Sequence, residues 1–317
     1  MIELLHSAEA RGAGLVHARD LAELGLNPRH IRGALSRGML VRVARGAYAI
    51  PPHDRQHWPS ELHALRVRAT LPLASPNSIA SHLSAAALHD LPLIGSWPTS
   101  VHTTVPGARG GSSSKGIIRH TSAQQVAAVR QHGVSVTSIA RTIVDVAATQ
   151  SLLIAVTMCD SALHRRLVTI DELADELLAI GRSRGRRRAA DCLAFADGLA
   201  ESPGESATRV NAWQLGYELP QLQIPVATRR GNYSVDLGWE SARLFGEFDG
   251  KVKYTRDSMM KGKTIDAVVF EEKQREDAIR AATDRSFVRL LWREVLNVRV
   301  LNAILSDAGV PRRIRTV

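Results

Sequence analysis

Asp236 and Glu247 are the two residues whose types and spacing point most directly to chemistry. They fall in two runs of alternating polarity, residues 233–239 and 244–249, that read as the strands of a hairpin. A turn centred between Ser241 and Ala242 puts Asp236 directly opposite Glu247, on one face with Asp249 and Lys251. Val235, Leu237, Trp239, Leu244 and Phe248 then take the other, apolar face. Facing carboxylates at roughly 5 Å repel unless a cation, a proton or a basic side chain compensates. A hard divalent ion is one compensator: oxygen ligands suit Mg²⁺, which keeps waters and a phosphate in its shell and can activate water against a phosphodiester. The alternative is pairing with Lys273, Arg275 or Arg280 from the segment that follows.

The elements that must hold this pair can be traced around it. Ser202-Pro203-Gly204-Glu205 opens a helix that ends near Gly216, and 221–227 reads as a strand before the hairpin. A long charged helix over 265–282, a strand over 287–291 and a final helix complete the order αβββαβ-α, which implies a sheet between helices. Glu205 three residues after Ser202 fits a capping box, a structural role that stands beside a catalytic one.

The first fifty residues carry a different chemistry. Helical periodicity covers 2–11 and 17–24, and a third helix over 28–37 is marked by Asn27 as cap, Pro28 in the first turn and Gly38 beyond the last. Arg29, His30, Arg32 and Arg37 project outward from it, while Ile31, Ala34 and Leu35 form the packing stripe. Next come alternating Leu40, Val41, Arg42 and Val43, a turn at Ala44-Arg45-Gly46, and a returning strand over 47–50. Three helices followed by a basic hairpin describe a winged helix-turn-helix. A short arginine-bearing helix suits the major groove of double-stranded DNA, and Arg42 and Arg45 on the hairpin suit neighbouring phosphate. Arg29, Arg32, Arg37, Arg42 and Arg45 are therefore the expected DNA contacts, against the plainer reading of a protein-interaction module with solvated arginines.

Composition agrees with a nucleic-acid partner without proving one. The 317 residues hold 41 Lys and Arg against 31 Asp and Glu, a net charge of +10 that attracts polyanions. No apolar stretch approaches the roughly 20 residues needed to span a bilayer. The first eleven residues include Glu3, His6 and Glu9 where a signal peptide needs an apolar run. Two cysteines cannot build a disulfide framework, so a cytoplasmic protein with both in the core is expected.

Three prolines within 51–59 suggest a connector, with a boundary near Pro52. Helices over 60–70 and 77–88, strands over 99–105 and 116–120, and a helix over 169–180 are expected in the middle of the chain. His82 and His89, two helical turns apart, lack a third ligand and read as packing residues rather than a metal site. Thr137 or Ser138 can cap the next helix, and Arg141 with Asp145 is an i, i+4 ion pair. The run from Arg182 to Arg188 is an anion-binding patch or a solvated helix junction.

Together with the winged-helix start, residues 80–88 (ASHLSAAAL) and 136–145 (VTSIARTIVD) resemble the AbiEi family of bacterial antitoxins over about residues 1–180. The resemblance implies a transcriptional autoregulator of a two-gene type IV toxin-antitoxin operon, whose partner toxin is a nucleotidyltransferase-like protein with no obligatory direct contact. The last third resembles the DUF559 group, related to very-short-patch-repair endonucleases of the PD-(D/E)XK restriction-endonuclease-like fold. The matching segments are Ser202-Pro203 with Glu205, then 235–239 (VDLGW), 246–254 (GEFDGKVKY) and 272–277 (EKQRED). This second resemblance implies Asp236 and Glu247 as ligands of Mg or Mn and Glu205 as an auxiliary acid. It departs from the family at Asp249, which stands where a lysine is usual, and Lys251, Lys253 and Lys273 are alternative replacements. The expected architecture is a multidomain α/β protein: a winged helix-turn-helix over 1–52, an α+β middle domain over 53–198 and an endonuclease-like αβββαβ domain over 199–317. Its expected function is DNA-binding regulation of antitoxin type, the alternative being a metal-dependent DNA endonuclease acting in phage defence.

Overall fold

The computed structural model describes residues 1–52, 58–107, 113–114, 116–122, 124–249 and 265–313, the side chains of 265–269 excepted. The chain forms two compact units, Met1–Ala155 with Leu167–Ala194, and Val156–Arg166 with Phe195–Val317. Among the described residues no helix is long and apolar enough to cross a membrane.

The first unit begins with α1 (Ile2–Arg11), β1 (Val16–His17), α2 (Ala18–Glu23), α3 (Pro28–Ser36), β2 (Val41–Ala44) and β3 (Ala47–Ala49). Val16 and His17 do not join the second helix: they pair antiparallel with Tyr48 and Ala47, giving a three-stranded sheet ordered β1-β3-β2. Leu5, Ala8, Val16, Leu21, Leu26, Ala34, Leu40 and Tyr48 form the core beneath the three helices. On the sheet, Leu15, Val43 and Ala49 receive Trp58, Leu62, Leu65 and Ala69 from α4 (Trp58–Thr70).

A second sheet in this unit is five-stranded and mixed, ordered β6-β5-β4-β8-β7. Its strands are β4 (Ile79–Ala80), β5 (Val101–Pro106), β6 (Ile117–Ser122), β7 (Ala128–Gln131) and β8 (Val134–Thr137). The helix expected over 77–88 starts only at His82, as α5 (His82–Leu88). Asn77 takes a left-handed φ of 63° and Ile79–Ala80 becomes the central strand, so β-sheet hydrogen bonding overrides local helical periodicity. Helices α6 (Ile139–Thr149), α8 (Ile170–Ala179) and α9 (Arg186–Phe195) follow, while α7 (Leu152–His164) has residues in both units.

In the second unit α10 (Pro203–Gln214) precedes β9 (Gln221–Thr228), β10 (Gly231–Trp239) and β11 (Leu244–Asp249). Then come α11 (Ile265–Ala282), β12 (Ser286–Leu291), α12 (Trp292–Val295) and α13 (Val298–Asp307). The sheet order is β12-β11-β10-β9, with β11 and β12 parallel. A parallel neighbour needs a crossover, and α11 lies in the connection. Phe248 faces α10 and α12: its ring is edge-on to Trp292, and a Cβ on Gly204 would lie 2.1 Å from it. Phe245 faces the other way, into a cluster with Val226, Val235 and Ile279 of α11. Helices thus cover both faces of the sheet.

Candidate functional site: a basic N-terminal face and a carboxylate cluster

The start of α3 is fixed locally. Asn27 Oδ1 accepts from the N–H groups of Arg29 (2.9 Å) and His30 (3.2 Å), and His30 Nδ1 takes the Asn27 N–H at 3.2 Å. That reciprocal cap, with Pro28 in the first turn, orients the helix so that Ala34 is buried and Arg29, Arg32 and Arg37 are exposed. Arg42 and Arg45 are exposed on the β2–β3 hairpin, Arg42 lying 6.0 Å from the Tyr48 ring. Among the described residues none of these five guanidinium groups is matched by a carboxylate, so one small module presents five uncompensated positive charges to solvent.

The second unit brings its carboxylates together from three elements. Hairpin register pairs Leu237 with Gly246, Gly238 with Phe245 and Trp239 with Leu244, the register expected from the turn at Ser241-Ala242. Regular pairing stops there. The β9–β10 ladder skips Asp236 and Gln223, and Gln223 has a φ of 50°. This irregularity turns Val235 toward Phe245 and Ile279 rather than toward the face of Leu237 and Trp239, because strict alternation does not survive a distorted position. It also frees Asp236 Oδ2 to accept the Phe248 N–H at 3.0 Å.

Glu205 is completely buried at the start of α10. Its Oε1 accepts from Ser202 Oγ (2.7 Å), and its Oε2 from the Glu201 N–H (3.0 Å) and Gln223 Nε2 (3.1 Å). The Glu205 N–H donates back to Ser202 Oγ at 3.3 Å, so the capping role is present. Burial, and next the negative charge of Asp236, push the Glu205 carboxyl above the usual range.

Glu247, only 7% exposed, is engaged by Arg275 of α11, whose Nη1 lies 2.5 Å from Oε1 and 3.0 Å from Glu272 Oε1. Arg275 Nη2 also donates to the Ser234 carbonyl, and Arg289 Nη2 approaches Glu247 Oε2 at 4.0 Å. Burial pushes the Glu247 carboxyl up, Arg275 opposes that shift, and Glu272 and Asp236 add to it. The compensating charge is thus an arginine, one of the two alternatives open in the sequence. Helical spacing selects it: Glu272, Arg275, Glu276 and Ile279 share the inward face of α11, while Lys273 is exposed. Asp249 Oδ1 is buried without a hydrogen-bond partner among the described residues. Lys251 and Lys253 lie outside the described residues.

These contacts test whether the cluster fits a divalent ion. Both oxygens of Glu205, one of Asp236 and the Glu247 carboxylate already take protein donors. Among the described residues no group of three His, Cys, Asp or Glu side chains is arranged to hold a metal. As arranged, the cluster does not fit Mg²⁺ or Mn²⁺. His82 and His89 also part company: His89 Nε2 bonds the Thr137 carbonyl oxygen at 2.7 Å, while the His82 ring stacks on His120.

Residues 3–51 match the family model described as transcriptional regulator, AbiEi antitoxin, and the match ends well short of residue 180. Over 263 residues the chain is 31% identical to the uncharacterized protein Rv2248 of Mycobacterium tuberculosis strain H37Rv, an alignment covering 77% of this chain and 91% of that one. The uncharacterized protein MT2308 of M. tuberculosis strain CDC 1551 / Oshkosh matches to the same extent. The chain belongs to the family of these mycobacterial proteins. Within this family member, the antitoxin-type region coincides with the three helices and small sheet that carry the five exposed arginines. The crystal structure of the RV2827C protein from M. tuberculosis has a TM-score of 0.35 and 16% identity, covering 65% of this chain and 78% of that one, too slight a likeness to define the fold.

Sequence reading singled out the arginines of the N-terminal face and the acids of the hairpin, but not Arg289, Arg119 or His120. Arg289 becomes visible only through the parallel register that sets it beside Glu247. Arg119 and His120 had a signal: no Asp or Glu occurs between Asp90 and Asp145.

Proposed function

We propose that this protein is a DNA-binding transcriptional regulator of antitoxin type, with α3 and the β2–β3 hairpin as its DNA-contacting elements in a winged-helix arrangement. The observation that carries this reading is the coincidence of the antitoxin-regulator match at residues 3–51 with a module whose exposed α3 and hairpin hold Arg29, Arg32, Arg37, Arg42 and Arg45. Exposed guanidinium groups without carboxylate partners suit phosphate, and those near the start of α3 suit base edges. The partner is double-stranded DNA upstream of its own gene, and a nucleotidyltransferase-like toxin is the proposed product of a neighbouring gene. On this reading the αβββαβ unit, with Arg275 inside its carboxylate cluster, adds a folded platform and not phosphodiester hydrolysis.

Mobility shifts on the promoter fragment at several salt concentrations test the reading. Arg42→Ala is expected to lower the slope of log affinity against log salt by about one, the loss of one phosphate contact. Arg32→Ala is expected to cost about 1–3 kcal/mol if it reads a base. Binding indifferent to both substitutions overturns the proposal. The juxtaposition of Asp236, Glu247 and Asp249 Oδ1, which has no hydrogen-bond partner among the described residues, favours a second reading, a metal-dependent endonuclease, which requires Arg275 to leave Glu247. Plasmid nicking with Mg²⁺ or Mn²⁺ that disappears in Asp236→Ala would establish that reading instead.

A further inference from the structure

Three features that DNA contact by the N-terminal module leaves unexplained meet at one cavity of the first unit: His82, the Arg141–Asp145 pair and the arginine run after α8. The cavity measures about 820 Å³, within the range of small-molecule sites. Arg119 and His120 of β6, Arg141 and Asp145 of α6, and Arg182, Arg184 and Arg188 around the start of α9 line it.

The arginine run is anchored against the cavity. Gly185 has a φ of 84°, and a Cβ there would lie 2.2 Å from the Ala148 carbonyl oxygen, so the turn is packed onto the end of α6 in a form that favours glycine. Arg188 Nη2 donates to that same carbonyl at 2.5 Å, and Arg186 Nε to the Leu177 carbonyl at 3.3 Å. Arg182 and Arg184 are exposed and, among the described residues, matched by no carboxylate.

His82, His120 and Asp145 of the lining belong to a buried polar network. His102 Nδ1 and His120 Nε2 are 3.0 Å apart, His120 stacks on His82 with ring centroids 3.6 Å apart, and His82 Nδ1 lies 3.8 Å from Asp145 Oδ2. Asp145 Oδ1 is held by Arg141 Nε at 2.8 Å, but Oδ2 is buried with no hydrogen-bond partner among the described residues, on a residue only 8% exposed. A buried acceptor left open is costly unless something donates to it. Burial draws the pKa values of His82 and His120 down to about 3, leaving both rings neutral, so the positive charge of the cavity belongs to its arginines.

Five arginines against Asp145 and Glu176, whose Oε1 also meets Arg141 Nη1 at 3.3 Å, leave an excess of positive charge that calls for a multiply charged anion, and planar guanidinium forks match phosphate oxygens. The open Asp145 oxygen calls for a ligand that also carries a hydroxyl or amine donor. Concavity favours a small molecule over a duplex backbone. We propose that this cavity binds a small phosphate-bearing ligand of the nucleotide class, with Arg119, Arg182, Arg184 and Arg188 on its phosphates and Asp145 on a hydroxyl or amine donor.

The test uses the full chain and isothermal titration with ATP, GTP and inorganic tripolyphosphate, comparing wild type with Arg182→Ser/Arg184→Ser, both exposed positions. Expected results are saturable binding of at least one nucleotide, tighter than tripolyphosphate, and weakening of at least tenfold in the double variant at an unchanged melting temperature. Tripolyphosphate binding as tightly as both nucleotides would overturn the nucleotide assignment. The site itself is overturned by no heat from any ligand at millimolar concentration, or by equal affinity in the variant. Promoter binding is measured on the same double variant and is expected to persist. If nucleotides fail to bind and promoter affinity drops, the cavity is a DNA surface and the proposal is wrong.

Discussion

Replacing Arg275 by alanine removes, among the described residues, the one partner within 3 Å of the carboxylate of Glu247, a residue only 7% exposed. At 2.5 Å the pair has a gross attraction of roughly 6–7 kcal/mol at an effective dielectric of about 20. Relief of the partial desolvation of Arg275 offsets some of this, and removing one member of a buried pair costs about 3–5 kcal/mol. Arg289, at 4.0 Å and 38% exposed, remains as a weaker partner, which places the expected cost at the lower end, about 3 kcal/mol. In urea unfolding followed by tryptophan fluorescence, to which Trp213, Trp239 and Trp292 of this unit contribute alongside Trp58 and Trp97, that is a fall in midpoint of about 1.5 M at a slope of about 2 kcal/mol/M. The deficit should shrink as pH falls, because protonated Glu247 leaves no charge unpaired. Adding Glu247→Gln to Arg275→Ala should recover most of the loss. Mg²⁺ should leave the wild-type midpoint unchanged, since the arginine already supplies the counter-charge. An Arg275→Ala protein within about 0.5 kcal/mol of wild type, or Mg²⁺ stabilisation of the wild type, would refute the assignment of Arg275 as the built-in cation of this cluster.

Two further outcomes follow from burial elsewhere. His63 (pKa near 4), His82 and His120 (both near 3) sit below the ordinary value of 6.5 because of burial, so the unfolded chain binds more protons between those limits. Their contribution is complete above pH 6.5 and is lost as pH falls toward 4 and 3, while Asp160, raised to about 6 by burial, acts in the opposite sense over the same window. The check is therefore made ring by ring: the imidazole resonances of His63, His82 and His120 are expected to remain those of neutral rings at pH 5, and protonated rings there would count against their burial. Gly204→Ala sets a methyl 2.1 Å from the Phe248 ring, which must move against Trp292; a loss of about 1–3 kcal/mol in the urea midpoint is expected, and a neutral substitution would contradict the close approach of α10 to the sheet.

Local signals determined much of this protein. Asn27, Pro28 and the spacing of Ile31, Ala34 and Leu35 specify α3 and its basic outer face, because caps and helical periodicity act within a few residues. Alternation and the turn at Ser241-Ala242 specify the register of Leu237–Trp239 with Leu244–Gly246, again a short-range property. Tertiary structure decided the rest. Ile79 and Ala80 leave an apparent helix because strands 20 and more residues away complete their hydrogen bonds, a contest that no local window contains. Two facing acids specify that a positive charge must come, but not which one. Only the packing of α11 over the sheet, set by Ile279 against Phe245 and Val226, selects Arg275 and leaves Lys273 in solvent. Likewise His82 reads as a packing residue, Arg141 with Asp145 as an ion pair, and the arginine run as an anion-binding patch or a solvated helix junction, with nothing local to join them. Sheet order brings β6 beside β5, and the tight turn at Gly185 carries the arginines back onto α6, so that separate local features surround one cavity. Charge and side-chain type are written residue by residue, whereas the long-range packing that turns them into a site depends on the whole chain at once.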